Sequence, residues 1–300
     1  MTTDDFRRNS ENFCYRHPDR QSFVLCQRCL RTICPECQTP AAVGVICPEC
    51  RRDQQKAQSP AQRQAERRWS RFRPVAVRDT RPIVTYVIIG ITAFVYLLTL
   101  IPGVGATIQN ALMFWAPTLY PNFFPQLGGF IEPWRLFTVS LVHSSFWHIG
   151  LNMLALLMIG RSLEPLLGRW RFIVLYMLST LGGSVAVTLL SFGTPVVGAS
   201  GAIFGLFGAL IVIGRHLGAN IAGIAIVLGI NLVIGFVPGF NVSWQAHVGG
   251  LVIGLLVGFI FTRTRSARQR RLQIALLAGV ALVLVALLFL PVFFPVAIIG

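Results

Sequence analysis

Apolar stretches long enough to cross a bilayer recur from residue 83 to the end of the chain, and a chain patterned this way has few folds open to it. Lipid offers no partner for a free backbone amide or carbonyl, so each crossing must be a helix of about 20 apolar residues or a strand of a closed barrel. Seven helical spans are predicted, at 83–101, 144–160, 171–191, 200–217, 220–237, 244–262 and 272–290. The second is short and begins polar. The expected class is an all-α membrane protein, in keeping with 54% hydrophobic against 12% charged residues, a balance foreign to soluble domains.

The net charge of +15 follows the same pattern. Arg161, Arg169 and Arg171 fall between the second and third spans, Arg215 between the fourth and fifth, and Arg263, Arg265, Arg268, Arg270 and Arg271 between the sixth and seventh. The alternate loops, 102–143, 192–199 and 238–243, hold Arg135 as their one basic residue. The positive-inside rule then places the N-terminus in the cytoplasm and the C-terminus outside, in a multi-pass protein of the cell membrane. This basicity is topological, and no nucleic-acid partner is expected. The first 80 residues are polar and lack the apolar core of a secretory signal, so none is expected.

All seven cysteines lie in the first 50 residues, in the series Cys14-x-x-His17, Cys26-x-x-Cys29, Cys34-x-x-Cys37 and Cys47-x-x-Cys50. A two-residue spacer lets both side chains of a knuckle reach one ion, and a structural zinc takes four such ligands. Eight ligands predict two structural zinc ions. A disulfide framework is disfavoured on the reducing cytoplasmic side, and one ligand place is a histidine. Which knuckles share an ion stays open. The segment resembles a small B-box-like finger over 13–51, although a B-box ends in histidines where Cys47 and Cys50 stand here. A tail at 1–12 precedes it. A basic linker at 52–81 follows, either resting on anionic headgroups or serving as a solvated tether.

The long loop at 102–143 is aromatic without any part long enough to cross. Trp115, Tyr120 and Trp134 are expected at headgroup level, with the loop half-sunk outside.

Ionisable groups inside spans mark function, and here they are few. Glu132 and Glu164 are the only acids after Asp79, so an aspartyl dyad, a His-Glu-x-x-His zinc protease and a proton-coupled transporter all lack their residues. Serine and histidine remain. Ser200 opens the fourth span, His247 lies a turn into the sixth, and His148 and Asn152, four apart on one helix face, occupy the second. The predicted topology sets all four at similar outer depth. Below His247 runs a stripe of Gly250, Gly254 and Gly258, and the fourth span offers Gly201, Gly205, Gly208 and Ala209. Small surfaces allow these helices to approach closely and pair a nucleophile with a base. His143 is read as an interfacial histidine ahead of an accessory part in the site, His216 as a loop residue and Asn231 as helix glue.

"GASG" at 198–201, "HIGLN" at 148–152 and "AHVGG" at 246–250, in this order on these helices, resemble the rhomboid family of intramembrane serine proteases. "EPWR" at 132–135 and "GRSLEPLLG" at 160–168 extend the resemblance over 82–262. It implies a six-helix core, with residues 263–300 adding a loop and a seventh helix. It further implies cleavage of transmembrane protein substrates near the outer face without a catalytic cofactor. Ser200 would be the nucleophile, His247 its base, and His148, Asn152 and the Ser200 N–H the oxyanion donors. Phe204 would lie against the histidine, and Gly198 and Gly201 would let substrate backbone approach. The rival readings are a catalytically inactive relative that binds membrane clients and, disfavoured by the lack of acids, a transporter or channel. The zinc-finger module is expected to stand apart from catalysis, with a cytoplasmic protein as its prospective partner and membrane lipids around the core.

Overall fold

A computed structural model of the chain describes residues 10–40, 45–57, 81–219, 221–235 and 242–294. The chain divides into two compact units, up to Phe72 and from Arg73. In the first, β1 (Phe13–Cys14) pairs antiparallel with β2 (His17–Gln21), β3 (Thr39–Pro40) with β4 (Val45–Ile46), and α1 (Pro48–Ala57) closes the unit. Pro48 opens α1 where a missing N–H is harmless. Apart from Ile33 and Ile46, the buried apolar core is made of cysteines. A unit this small cannot bury enough apolar surface to fold by that means alone, so its fold depends on what the cysteines hold. α1 runs through the expected boundary at residue 52, and positions 58–80 of the expected linker lie outside the described residues.

The second unit is helical: α2 (Ile83–Thr99), the short α3 (Gly105–Leu112), α4 (Phe146–Leu167), α5 (Arg169–Leu190), α6 (Ser200–His216), α7 (Ala222–Ile234), α8 (Trp244–Arg263) and α9 (Arg270–Leu287). Four helices, Phe146–Leu167, Arg169–Leu190, Trp244–Arg263 and Arg270–Phe293, are long and apolar enough to cross a membrane, and three shorter apolar helices accompany them. The seven match the predicted spans in number and order. Side-chain caps set two of the starts: the Ser145 hydroxyl accepts from His148 N–H, and the Ser243 hydroxyl from Ala246 N–H.

α8 packs between α6 and α5, and its contact with α6 is the most extensive helix pairing among the described residues. The glycine stripe makes that contact. A Cβ on Gly250 would run into the Gly201 backbone, and one on Gly254 into the Gly205 backbone. On the other side Gly249 faces Gly182 and Ala186 of α5. Helices meeting main chain to main chain gain dispersion contacts that lipid cannot match.

Several expectations need correction. The second span does not stop at residue 160: α4 continues through Arg161 and Pro165, and Gly168, at φ +80°, turns the chain directly into α5. The polar stretch stays helical because Glu164 is buried and caps α2. Its carboxylate accepts from Val84 N–H at 2.9 Å, Thr85 N–H at 2.8 Å and Thr85 Oγ1 at 2.7 Å. Tyr120 is buried, its hydroxyl donating to the Leu288 carbonyl at 2.5 Å. Trp115 and Trp134 keep exposed ring surface, yet their indole N–H groups bond to the carbonyls of Gly193 and Ala111. His216 ends α6 instead of lying in a loop. Asn231 is exposed and donates to Val227 O in its own helix, so it ties no helices together. The expected outer loop at 238–243 is described only from residue 242.

The seventh helix is fastened by Gln273, which is fully buried. It accepts from Arg171 Nε at 2.9 Å and donates to the Thr264 carbonyl and hydroxyl. Leu277 and Leu284 continue its buried stripe.

Gly254→Ala should lower the thermal midpoint in detergent, reflecting about 1–3 kcal/mol of overpacking. Gly279→Ala, where nothing lies within 4 Å of the added methyl, should leave the midpoint unchanged or raise it.

Candidate active site

Ser200 is the first residue of α6 and half-buried. A helix start leaves its first amides without intrahelical acceptors, and the first amide of α6 to close on the preceding turn is Ile203, on Ala199 O. The N–H groups of Ser200 and Gly201 therefore point out of the helix end as ready anion donors.

His247 lies in the first turn of α8, 6% exposed. Its ring stacks on Phe204, with centroids 4.0 Å apart and planes at 13°. Phe204 sits one turn after Ser200, so the stacking holds the imidazole over the turn that carries the serine. The Gly201–Gly250 approach sets the separation of the two helices at this same level. His247 Nδ1 is buried with no hydrogen-bond partner among the described residues. No acid is at hand to orient it. Glu132 pairs with Arg135 at 2.5 Å, and Glu164 caps α2.

His148, near the start of α4, approaches from the other side. Its Nδ1 bonds the Ser144 hydroxyl at 3.0 Å, and its Nε2 faces Gly198. The Cβ that Gly198 lacks would sit 2.7 Å from His148 Nε2 and 3.7 Å from Ser200 Oγ. The two side chains thus flank one point. Gly198 holds φ at +122°, a conformation closed to other residues, and this brings the chain past the ring before Ser200. Asn152 is buried, and its Nδ2 donates to His148 O at 2.8 Å. That bond fixes the amide along its own helix, leaving one amide proton and the carbonyl oxygen for other partners.

Reading by residue type alone undervalued His143. It is 2% exposed, packs edge-on to His148 with centroids 4.9 Å apart, and its Nε2 accepts from Ala199 N–H at 3.4 Å, a place beside the site that fits the accessory reading. The approach loop is pinned at two further points: Phe114 and Val196 exchange backbone bonds at 3.0 and 2.8 Å, and Gly198 N–H donates to Val139 O at 2.9 Å. Phe114 and Val139 offered no signal in sequence, because they act through backbone groups. His143 did: a histidine five residues before His148 in an apolar context.

Residues 131–264 match the rhomboid domain family. The match covers a little under half of the chain and includes α4 to α8. Relatives include RHOMBOID-like protein 1 of Arabidopsis thaliana, 39% identical over 137 residues, which are 43% of this chain and 35% of that protein. Rhomboid protease GluP of Bacillus subtilis is 33% identical over 185 residues, 59% of this chain and 34% of its own. Rhomboid-type serine protease 2 of Emericella nidulans is 33% identical over 175 residues, 52% and 33%. The matched part of the chain spans about a third of the length of these three relatives. The matched segment holds all the residues just described around Ser200 except Phe114.

The first unit gathers its ligands into two sets: Cys14, His17, Cys34 and Cys37, and Cys26, Cys29, Cys47 and Cys50, with ligand atoms within 4.8 Å of one another. The knuckles alternate, first with third and second with fourth, which settles the pairing the spacing left open. All seven cysteines are free of disulfides. His17 presents Nδ1, 3.3 Å from Cys34 Sγ and 3.4 Å from Cys37 Sγ. Tetrahedral Zn–S bonds of about 2.3 Å require sulfurs about 3.8 Å apart. Cys29 and Cys47 Sγ lie 3.8 Å apart. Within each set the thiols diverge in acidity. Burial opposes ionisation of Cys14 and Cys26, yet backbone N–H groups carry both down to about 6. Burial together with the neighbouring thiolates drives Cys37 up to about 11 and Cys50 to about 12. Three thiols with an imidazole in one set, and four thiols in the other, are the donor sets that suit a zinc ion, so the residues fit two zinc ions. Both sets are closed at four ligands, which leaves the ions structural.

Gly198→Ala should displace the His148 ring and reduce the rate of Ser200 labelling by a fluorophosphonate at least tenfold in protein that remains folded, with a lowered thermal midpoint from about 1–3 kcal/mol of backbone strain. An unchanged rate would mean that the loop geometry does not govern access to the serine.

Proposed function

We propose that the protein is an intramembrane serine endopeptidase that cuts transmembrane protein substrates near the outer membrane face with a Ser200–His247 dyad. The observation that carries this reading is the His247 ring stacked on Phe204, one turn from Ser200. With both acids committed elsewhere, the imidazole serves as base without a third member. The named proteases among the relatives support the reaction class.

In the reaction, Ser200 Oγ attacks the scissile carbonyl carbon and its proton passes to His247. The carbonyl oxygen becomes an oxyanion held by the Ser200 N–H, His148 Nε2 and the Asn152 amide. Collapse of the intermediate breaks the C–N bond, and His247 returns the proton to the leaving amine. Water, deprotonated by the same imidazole, then releases the acyl group. The helix start on which Ser200 sits opens toward the outer face, where water and an unwound stretch of substrate can enter. N-terminus inside and C-terminus outside is the orientation that the arginine distribution supports. The finger, with its two structural zinc ions, takes no part in these steps.

Ser200→Ala and His247→Ala should each abolish cleavage of a reconstituted transmembrane substrate without unfolding the protein. His148→Ala should retain activity reduced about 10²-fold, since other donors remain. Full turnover in either dyad variant would refute the assignment. Metal analysis should return two zinc ions per chain, falling to one in Cys37→Ser or Cys50→Ser, while a soluble reporter peptide is still cleaved.

A further inference from the structure

The large apolar side chains exposed on the first unit, among the described residues, are Phe23, Val24, Leu25 and Leu30. They fall within eight positions of one hairpin, in which Cys26 N–H bonds Arg31 O, Ile33 N–H bonds Val24 O and Leu25 pairs with Thr32. Phe23 is 73% and Leu30 69% exposed. A module that gathers its exposed apolar surface at one edge offers a binding surface rather than scattered exposure.

Leu30 adds a second, independent sign. Its φ is +60°, and it is the one non-glycine residue with positive φ among the described residues. After the Cys26–Cys29 knuckle this conformation turns the chain back so that Arg31 O can accept from Cys26 N–H. Glycine or asparagine would adopt it readily, whereas a leucine there is strained and its side chain is left in water. Neither the fold nor the metal sites require a leucine. An apolar ligand surface does.

We propose that this hairpin is an interfacial wedge that inserts Phe23, Leu25 and Leu30 among the headgroups of an anionic membrane. The inference rests on α2 being a membrane span. Given that, the occupant follows from tether length and charge. The sequence between α1 and α2, residues 58–82, is 25 residues long, so the module can never move more than about 80 Å from the point where the chain enters the bilayer. Within that stretch Arg63, Arg67, Arg68, Arg71, Arg73, Arg78 and Arg81 stand against Glu66 and Asp79, seven positive charges to two negative. Such a stretch is drawn to anionic headgroups and holds the module at the surface. Arg28, inside the knuckle turn, adds a positive charge among the apolar residues. Docked in this way, the module would be kept where it can meet the cytoplasmic ends of membrane substrates.

The full chain, reconstituted in nanodiscs of phosphatidylcholine with or without phosphatidylglycerol, tests this with a photoreactive p-benzoylphenylalanine in place of Phe23. Lipid adducts identified by mass spectrometry, more abundant in the anionic discs, are the expected result. Leu30→Gly should lower their yield about tenfold, the effect of removing one buried leucine side chain. It should also keep the full zinc content, because glycine suits the turn. The same photoprobe in place of Val283, an exposed position on α9, must give lipid adducts in every disc. Failure there would overturn the membrane reading itself. With that control positive, adducts to a second copy of the chain, adducts within the chain only, or no adduct at position 23 would each overturn the wedge.

Discussion

The close approach of α6 and α8 is the contact on which the geometry around Ser200 depends. In lipid, apolar side chains gain nothing by leaving their surroundings, so helices associate where they pack better against each other than against acyl chains. Gly250 on Gly201 and Gly254 on Gly205 provide such a fit, main chain against main chain. Ser200 and His247 each stand beside one of these contacts in sequence, next to Gly201 and three residues before Gly250. Any widening of the interface would therefore move Ser200 away from His247, the two members of the proposed dyad. Phe204 converts helix proximity into ring orientation.

Buried polar groups do the remaining placement, and each ties two distant segments. Glu164 caps α2 from the end of α4, Arg135 bonds the Asn110 and Met113 carbonyls, and Gln273 binds the loop residue Thr264 and Arg171 of α5 to α9. Without water to take their place, these partners are obligatory, and every one specifies a register. The same economy bears on the chemistry. Both acids of the matched segment are used in structure, so under the proposed dyad His247 has no carboxylate partner and takes its orientation from stacking on Phe204.

The zinc-finger module is built by a contrary rule. Its core is sulfur, two isoleucines and little else, so ligation takes the place of apolar burial. Freed from the need to bury every large side chain, it leaves Phe23 and Leu30 outside. The alternating ligand sets join the start and end of the module to its middle.

Sequence alone determined the helical class, the number and order of the seven apolar helices, the glycine stripe and the eight cysteine and histidine positions that gather in the first unit. These are set by local composition and spacing: a bilayer admits only apolar helices, and a knuckle is defined by its two-residue spacer. Ser200, His247, His148 and Phe204 were legible because motif and helix period together place them. The tertiary structure alone decided that His143 and Tyr120 are buried, that α4 runs on through Pro165, and that knuckles pair first with third. It also decided that Phe114 and Val139 hold the loop before Ser200. Each of these turns on a partner far along the chain, a carbonyl, an amide or a ring that no local pattern encodes, and only packing brings the two together.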